Sequence, residues 1–147
     1  MGENMGKYID SALLPGESVV AEARPHWAMF VAPGLVALLG LLMYANGSSI
    51  VLIIGLVWLG FRYLVYITTE LAVTNKRVVA KSGIIRRNEI DVSLSKIEGT
   101  TYHQGIIGRI FGYGSILVRG TGVGQLPIPF IARPDQFKHE VGRLVHA

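Results

Sequence analysis

Two apolar runs lie close together near the middle of the chain, and they restrict its fold more than any other feature. Trp27 to Ala45 reads WAMFVAPGLVALLGLLMYA and carries no charge. Ile50 to Ile67 reads IVLIIGLVWLGFRYLVYI and carries Arg62 alone. A bilayer core of about 30 Å is crossed by a helix of about 20 apolar residues, and each run is near that length. The NGSS between them is too short for anything but a tight turn, so residues 27–67 are predicted to form a transmembrane helical hairpin (27–45 and 50–67). A single buried core helix would not need two such runs. A cleaved secretory signal is disfavoured, because the residues ahead of the first run are numerous and net acidic and a second run follows at once. Composition agrees: only 16% of residues are charged, against about 25% in soluble domains.

Lys and Arg near the ends of a span favour the cytoplasmic side. The turn has none. Arg24 precedes the first run, while Arg62, Lys76, Arg77 and Lys81 border or follow the second, so both termini are predicted to be cytoplasmic. Trp27, Tyr63 and Tyr66 then fall at the inner interface and Tyr44 at the outer one. Arg62 sits about five residues from the inner end, roughly 7–8 Å of helix, within snorkelling reach of the interface. Pro33, Gly34, Gly55 and Gly60 allow close packing or a kink. Asn46-Gly47-Ser48 matches a glycosylation sequon but lies against the membrane, and is read as chance.

After Ile67 the period becomes that of an antiparallel sheet. ELAVTNKRVVAKSG reads as two strands joined at Asn75-Lys76, where Asn suits a left-handed turn position, with a further turn at Ser82-Gly83. NEIDVSLS alternates, with Ile90, Val92 and Leu94 on one face and Glu89, Asp91 and Ser93 on the other. KIEGTTYHQ, SILVRGTG and QLPIPFI supply more strands, and Pro127 and Pro129 assign the last to a sheet edge. GIIGRIFGYG reads as a single helical turn or tight loop. PDQFKHEVGRLVHA places Phe137, Val141, Leu144 and Val145 on one helical stripe behind Pro134. Ahead of the first span, residues 17–24 read as a strand that joins this sheet, whereas residues 1–16 read as dispensable. The organisation is thus an N-terminal cytoplasmic segment (1–26), the hairpin (27–67) and a sheet domain (68–147).

No catalytic constellation emerges. HEVGR at His139 lacks the second histidine of a zinc-binding pair. His26, His103 and His146 have no ligand-like spacing, and the absence of cysteine removes thiolate sites. Ser93 to Lys96 matches S-x-x-K, but within a predicted strand and without companion motifs. GYGSIL and GTGVGQ lack a phosphate-loop lysine, so their glycines suit turns. The reading is therefore no enzyme, no metal and no cofactor. Residues 68–147 carry eleven Lys/Arg against six Asp/Glu. That modest surplus comes with no nucleic-acid-binding signature and suits an anionic surface instead.

Several spaced motifs carry a family resemblance: T-x-x-x-x-V-T-N-x-R at Thr69 to Arg77, Gly83, Lys96-Ile97, G-R-x-x-G-Y-G at Gly108 to Gly114, and G-T-G at Gly120 to Gly122. Together with the LLPGE…ARPHW lead-in they resemble the bacterial membrane-flanked pleckstrin-homology-like (PH-like) domain. The resemblance implies an α+β membrane protein of the bacterial inner membrane, with a PH-like antiparallel barrel or sheet and a C-terminal helix beside the hairpin. The expected role is a binding module that engages anionic phospholipid headgroups or a protein partner, another copy of the chain included. Candidate headgroup contacts are Lys76, Arg77, Lys81, Arg86 and Arg87, each worth about 1 kcal/mol near an anionic leaflet. A solvated, topology-setting face is the alternative for these cations. An accessory subunit of a larger membrane complex is the alternative for the whole chain.

Overall fold

In the computed structural model, residues 7–83 and 88–147 are described. The chain opens with a short helix α1 (Lys7–Ala12) and a strand β1 (Val19–Ala23), then passes through a 3-10 turn (Trp27–Phe30) into α2 (Val31–Tyr44). A tight turn returns it through α3 (Ile50–Thr68) directly into β2 (Glu70–Thr74). β3 (Arg77–Ser82), β4 (Asn88–Ser93), β5 (Ile97–His103), α4 (Ile106–Phe111), β6 (Tyr113–Gly120), β7 (Val123–Ala132) and α5 (Pro134–Val145) follow. The strands form two antiparallel sheets, β1-β2-β3-β4 and β5-β6-β7.

β1 pairs with β2 in antiparallel register, Ala23 opposite Leu71 and Val19 opposite Thr74. The strand that leads into the helical pair is therefore hydrogen-bonded to the strand that leads out of it. Past its end β1 also reaches the second sheet. His26 N–H donates to the Phe130 carbonyl at 2.6 Å, and Ala132 N–H donates to the Arg24 carbonyl at 2.9 Å. This junction ties the two sheets together beside the helices. The core lies between the sheets: Leu71, Val73, Val78, Ala80, Ile90 and Val92 face Ile97, Ile116, Val118, Ile128 and Ile131. The alternation in β4 puts Ile90 and Val92 inside and leaves Glu89 and Asp91 exposed. β7, with its two prolines, is an edge strand with register shifts against β6. α5 packs Phe137 and Val141 into the core, with Leu144 and Val145 against its margin.

Trp27–Tyr44 and Ile50–Thr68 are long and apolar enough to cross a membrane. Only 22% and 6% of their most apolar windows are buried, so neither is the core helix of a globular domain. The two pack closely on each other. An added Cβ at Gly40 would come within 2.3 Å of Leu52 N, and one at Gly55 within 2.5 Å of Ala37 N. Of the glycines expected to allow close packing or a kink, Gly55 packs closely, whereas Gly34 and Gly60 face open space. The contact points are Gly40 and Gly55.

Two further expectations change. Among the described residues, positive φ outside glycine occurs at Phe130 and Arg133, so the β2–β3 turn does not need a left-handed Asn75. Leu94–Lys96 is a 3-10 turn and not a continued strand, so the S-x-x-K residues lie at a strand end.

Candidate functional site

The T-N-x-R of the β2–β3 hairpin is one half of a clasp, and the Pro-Gly-Glu of the lead-in is the other. Glu17 is wholly buried at its side chain, and Arg77 is 15% exposed at its own. Arg77 Nε donates to Glu17 Oε1 at 2.9 Å, and Nη2 donates to Oε2 at 3.0 Å. This is the two-pronged arginine–carboxylate geometry that gives both strength and orientation. The same carboxylate accepts from Thr74 Oγ1 at 2.6 Å and from Leu14 N–H at 2.8 Å. Arg77 also donates to the Ala12 carbonyl at 2.6 Å and pairs with Asp91. Asn75 completes the clasp: its Oδ1 accepts from Ser18 N–H at 3.1 Å, and its Nδ2 donates to the Gly16 carbonyl at 3.3 Å. The Arg77 hydrogen bonds, helped by Thr74 and Leu14, outweigh the cost of burial and hold the Glu17 pKa down at about 2. The Arg77 pKa is raised in return, chiefly by its bonds to Glu17.

The three headgroup candidates among the described residues, Lys76, Arg77 and Lys81, are differently engaged. Arg77 is engaged by two carboxylates and a carbonyl. Lys76, at the hairpin tip, donates to the Pro15 carbonyl at 3.3 Å. Lys81 lies opposite Glu70, the second residue after α3, and its ammonium sits 4.1 Å from the centre of the Tyr8 ring. β3 separates Lys76 from Lys81 by five residues, roughly 16 Å of extended chain. Lys81 is therefore at the helix end of the sheet and Lys76 at the far end. Arg86 and Arg87 lie outside the described residues. The strand ends that flank them, Ser82 and Asn88, pair with each other beside Lys81.

The helix end carries a second set of residues that sequence patterning missed. Phe111 meets Trp27 edge-on at 5.6 Å, and Trp27 lies against His26 at 5.2 Å. His26 stacks on Tyr113 at 5.4 Å, and Tyr113 on Phe130 at 5.6 Å. The Arg62 guanidinium ends this column, 5.2 Å from the Phe130 ring centre. What the Arg62 guanidinium meets in the fold is an aromatic face. Phe130 holds φ at 55°, an uncommon conformation for a bulky residue. Its backbone is held there by the hydrogen bond from His26. The one signal available was His26-Trp27 at the start of the first apolar run; Phe111, Tyr113 and Phe130 are distant in sequence, and only tertiary structure aligns them.

Among the described residues no group of three or more His, Asp or Glu side chains could hold a metal. Glu140, beside His139, pairs with Arg143 at 2.6 Å. A recess of about 780 Å³ between β1 and α5 is lined by Glu22, Arg24, Arg133, Asp135 and His139. Its mixed charges favour no single ionic ligand.

No curated protein and no solved structure matches this chain. The bacterial PH domain family does match, over residues 19–144. That span begins at the first residue of β1, passes through both long helices and ends within α5, so it takes in both partners of the β1–β2 ladder. The chain belongs to the bacterial PH domain family.

Proposed function

We propose that this protein is a membrane-anchored binding module that holds a PH-type domain against the inner leaflet to engage anionic headgroups. α2 and α3 cross the bilayer as a hairpin, and both termini are cytoplasmic. The observation that carries the reading is the β1–β2 ladder. Two hydrogen-bonded strands run side by side into two helices whose large apolar side chains are exposed along their length, Leu35, Leu42, Ile50, Val57 and Phe61 among them. An apolar surface that extensive calls for a membrane or a partner. Because the strands are paired, both chain ends stay on one side, and the placement of Lys and Arg selects the cytoplasm.

Lys81, with Arg86 and Arg87 five and six residues on in sequence, is the proposed headgroup-contacting group. Arg77 is removed from it by its bonds to Glu17, and Lys76 by its place at the far end. An accessory subunit docking at that far end would need an apolar patch there. Outside the helical pair, the large exposed apolar side chains concentrate instead on α4 and Trp27.

Reporter fusions at Ala147 and within NGSS test the topology, and an Ala147 reporter active only outside the cell would overturn it. Native mass spectrometry of the full chain tests the ligand. Anionic phospholipid should be retained over zwitterionic lipid in a salt-sensitive way. Replacing Lys81, Arg86 and Arg87 by Gln should reduce that retention several-fold, and Lys76→Gln should leave it unchanged. Equal retention by the triple variant removes the headgroup role. Recovery of one stoichiometric protein partner instead would favour the accessory-subunit reading.

A further inference from the structure

α4 presents an unusual surface for a solvent-facing connection. Ile106 is 81% exposed, Ile107 61%, Ile110 74% and Phe111 49%. Gly108 is the one buried residue of the helix, and the reason is steric. A Cβ there would lie 2.4 Å from the Tyr113 carbonyl oxygen, so the helix backbone rests directly on the start of β6. Gly112 then ends the helix in the left-handed conformation, φ 79°. Pressed down at Gly108, the helix turns its large side chains away from the core. Scattered exposed apolar residues are ordinary on a protein surface, but a contiguous cluster marks an interaction site.

The position of this cluster identifies what covers it. The Phe111 ring meets Trp27 edge-on, and Trp27 is the first residue of the apolar hairpin and itself 55% exposed. Trp at the end of a span sits at headgroup level. α4 therefore lies beside the hairpin at the depth of its inner end. Arg109, exposed on the same helix, can direct its guanidinium to phosphate while its stem lies along the apolar side chains.

We infer that α4 is a third membrane contact, an interfacial helix whose Ile106, Ile107, Ile110 and Phe111 enter the boundary between headgroups and acyl chains of the inner leaflet. The inference rests on the hairpin reading above and adds a consequence. The β1 and β2 connections lie side by side, so on their own they define a single line of attachment between the sheet domain and the helices. A third contact, offset from that line, fixes the tilt of the domain and hence the side it presents to the headgroups.

The chain has no cysteine, so single cysteines can be spin-labelled without background. The full chain in nanodiscs of anionic and zwitterionic phospholipid would be labelled separately at Ile107, Ile110, Leu56 and Thr121. Collision rates with oxygen and with a water-soluble nickel chelate then report depth. Leu56, mid-way along α3, should be deep, and Thr121, at the far end of β6, should be aqueous. Ile107 and Ile110 should fall between them, with oxygen-to-nickel ratios several-fold above that of Thr121. If both match Thr121 while Leu56 is deep, the α4 inference fails and the hairpin stands. If Leu56 is aqueous, the hairpin reading fails first and the inference with it. Poor access of both reagents to Ile107 and Ile110 would mean a protein contact such as a second copy, and would also overturn the lipid assignment. The labelled positions are exposed, so no packed side chain is lost, and Ile106 provides a further site.

Discussion

The guanidinium of Arg77 lies across the carboxylate of Glu17, and this pair joins the β2–β3 hairpin to a segment 60 residues earlier, on the other side of the apolar helices. The carboxylate has no solvent exposure. Its charge is tolerable only because Arg77, Thr74 and the Leu14 amide all donate to it. The pair therefore holds the N-terminal segment onto the sheet domain.

Removing Arg77 should be far more damaging than removing a surface cation. Arg77→Gln leaves a buried carboxylate without its counter-charge, a loss of about 3–5 kcal/mol. Lys76→Gln, at an exposed tip, should cost less than about 1 kcal/mol. Chemical denaturation of the full chain in detergent, followed by a probe in the sheet domain, measures both. Equal midpoints for Arg77→Gln and the parent would reject the clasp and return Arg77 to the headgroup candidates.

Stability should fall in acid in a window set by Glu17. Its pKa is lowered from 4.5 to about 2 in the folded chain. The stabilisation is therefore fully present above about pH 4.5 and is lost as pH falls through 2. A shift of that size corresponds to about 3 kcal/mol. Glu17→Gln should be less stable at neutral pH and should flatten the acid limb of the stability curve. An unchanged limb would assign the acid sensitivity to other carboxylates.

The helical pair should discriminate among its glycines. Gly40→Ala and Gly55→Ala drive a methyl into the backbone of the facing helix and should destabilise the hairpin by about 1–3 kcal/mol, as overpacking does. Gly34→Ala and Gly60→Ala meet nothing within 4 Å and should be tolerated. Thermal melts of the four variants in one detergent give the comparison, and a uniform response would argue against this helix contact.

Residues 1–16 should prove necessary, against the expectation from sequence. Ile9 is buried, its N–H donates to Glu70 at 3.2 Å, and the Ala12 carbonyl accepts from Arg77. Deleting the segment should cost about 2–4 kcal/mol from lost apolar burial and unpaired groups. Limited proteolysis should then open β1 and β2. Protection equal to that of the full chain would reduce α1 to a tail.

Local pattern alone determined the two apolar helices, the strand runs after them and the amphipathic α5, because each depends on a periodicity or length within its own segment. The run at 50–67, apolar but for Arg62, has the length and composition of a helix that needs an apolar surrounding, and the alternation of Ile90 and Val92 turns both to one core. The family motifs were equally legible as spacing. What each motif does was not, because its partner is distant in the chain. Arg77 reads as one more cation in a basic run until Glu17 is brought to it. Asn75 reads as a turn former until its side chain meets Gly16 and Ser18. Arg62 reads as a snorkelling charge until Phe130 lies under it. Lys76 and Lys81 are near neighbours in sequence, but an extended strand carries them to opposite ends of the sheet. Charge and hydropathy are properties of a residue, whereas burial, pairing and distance from the helix end are properties of a neighbourhood, and only the folded chain creates that neighbourhood.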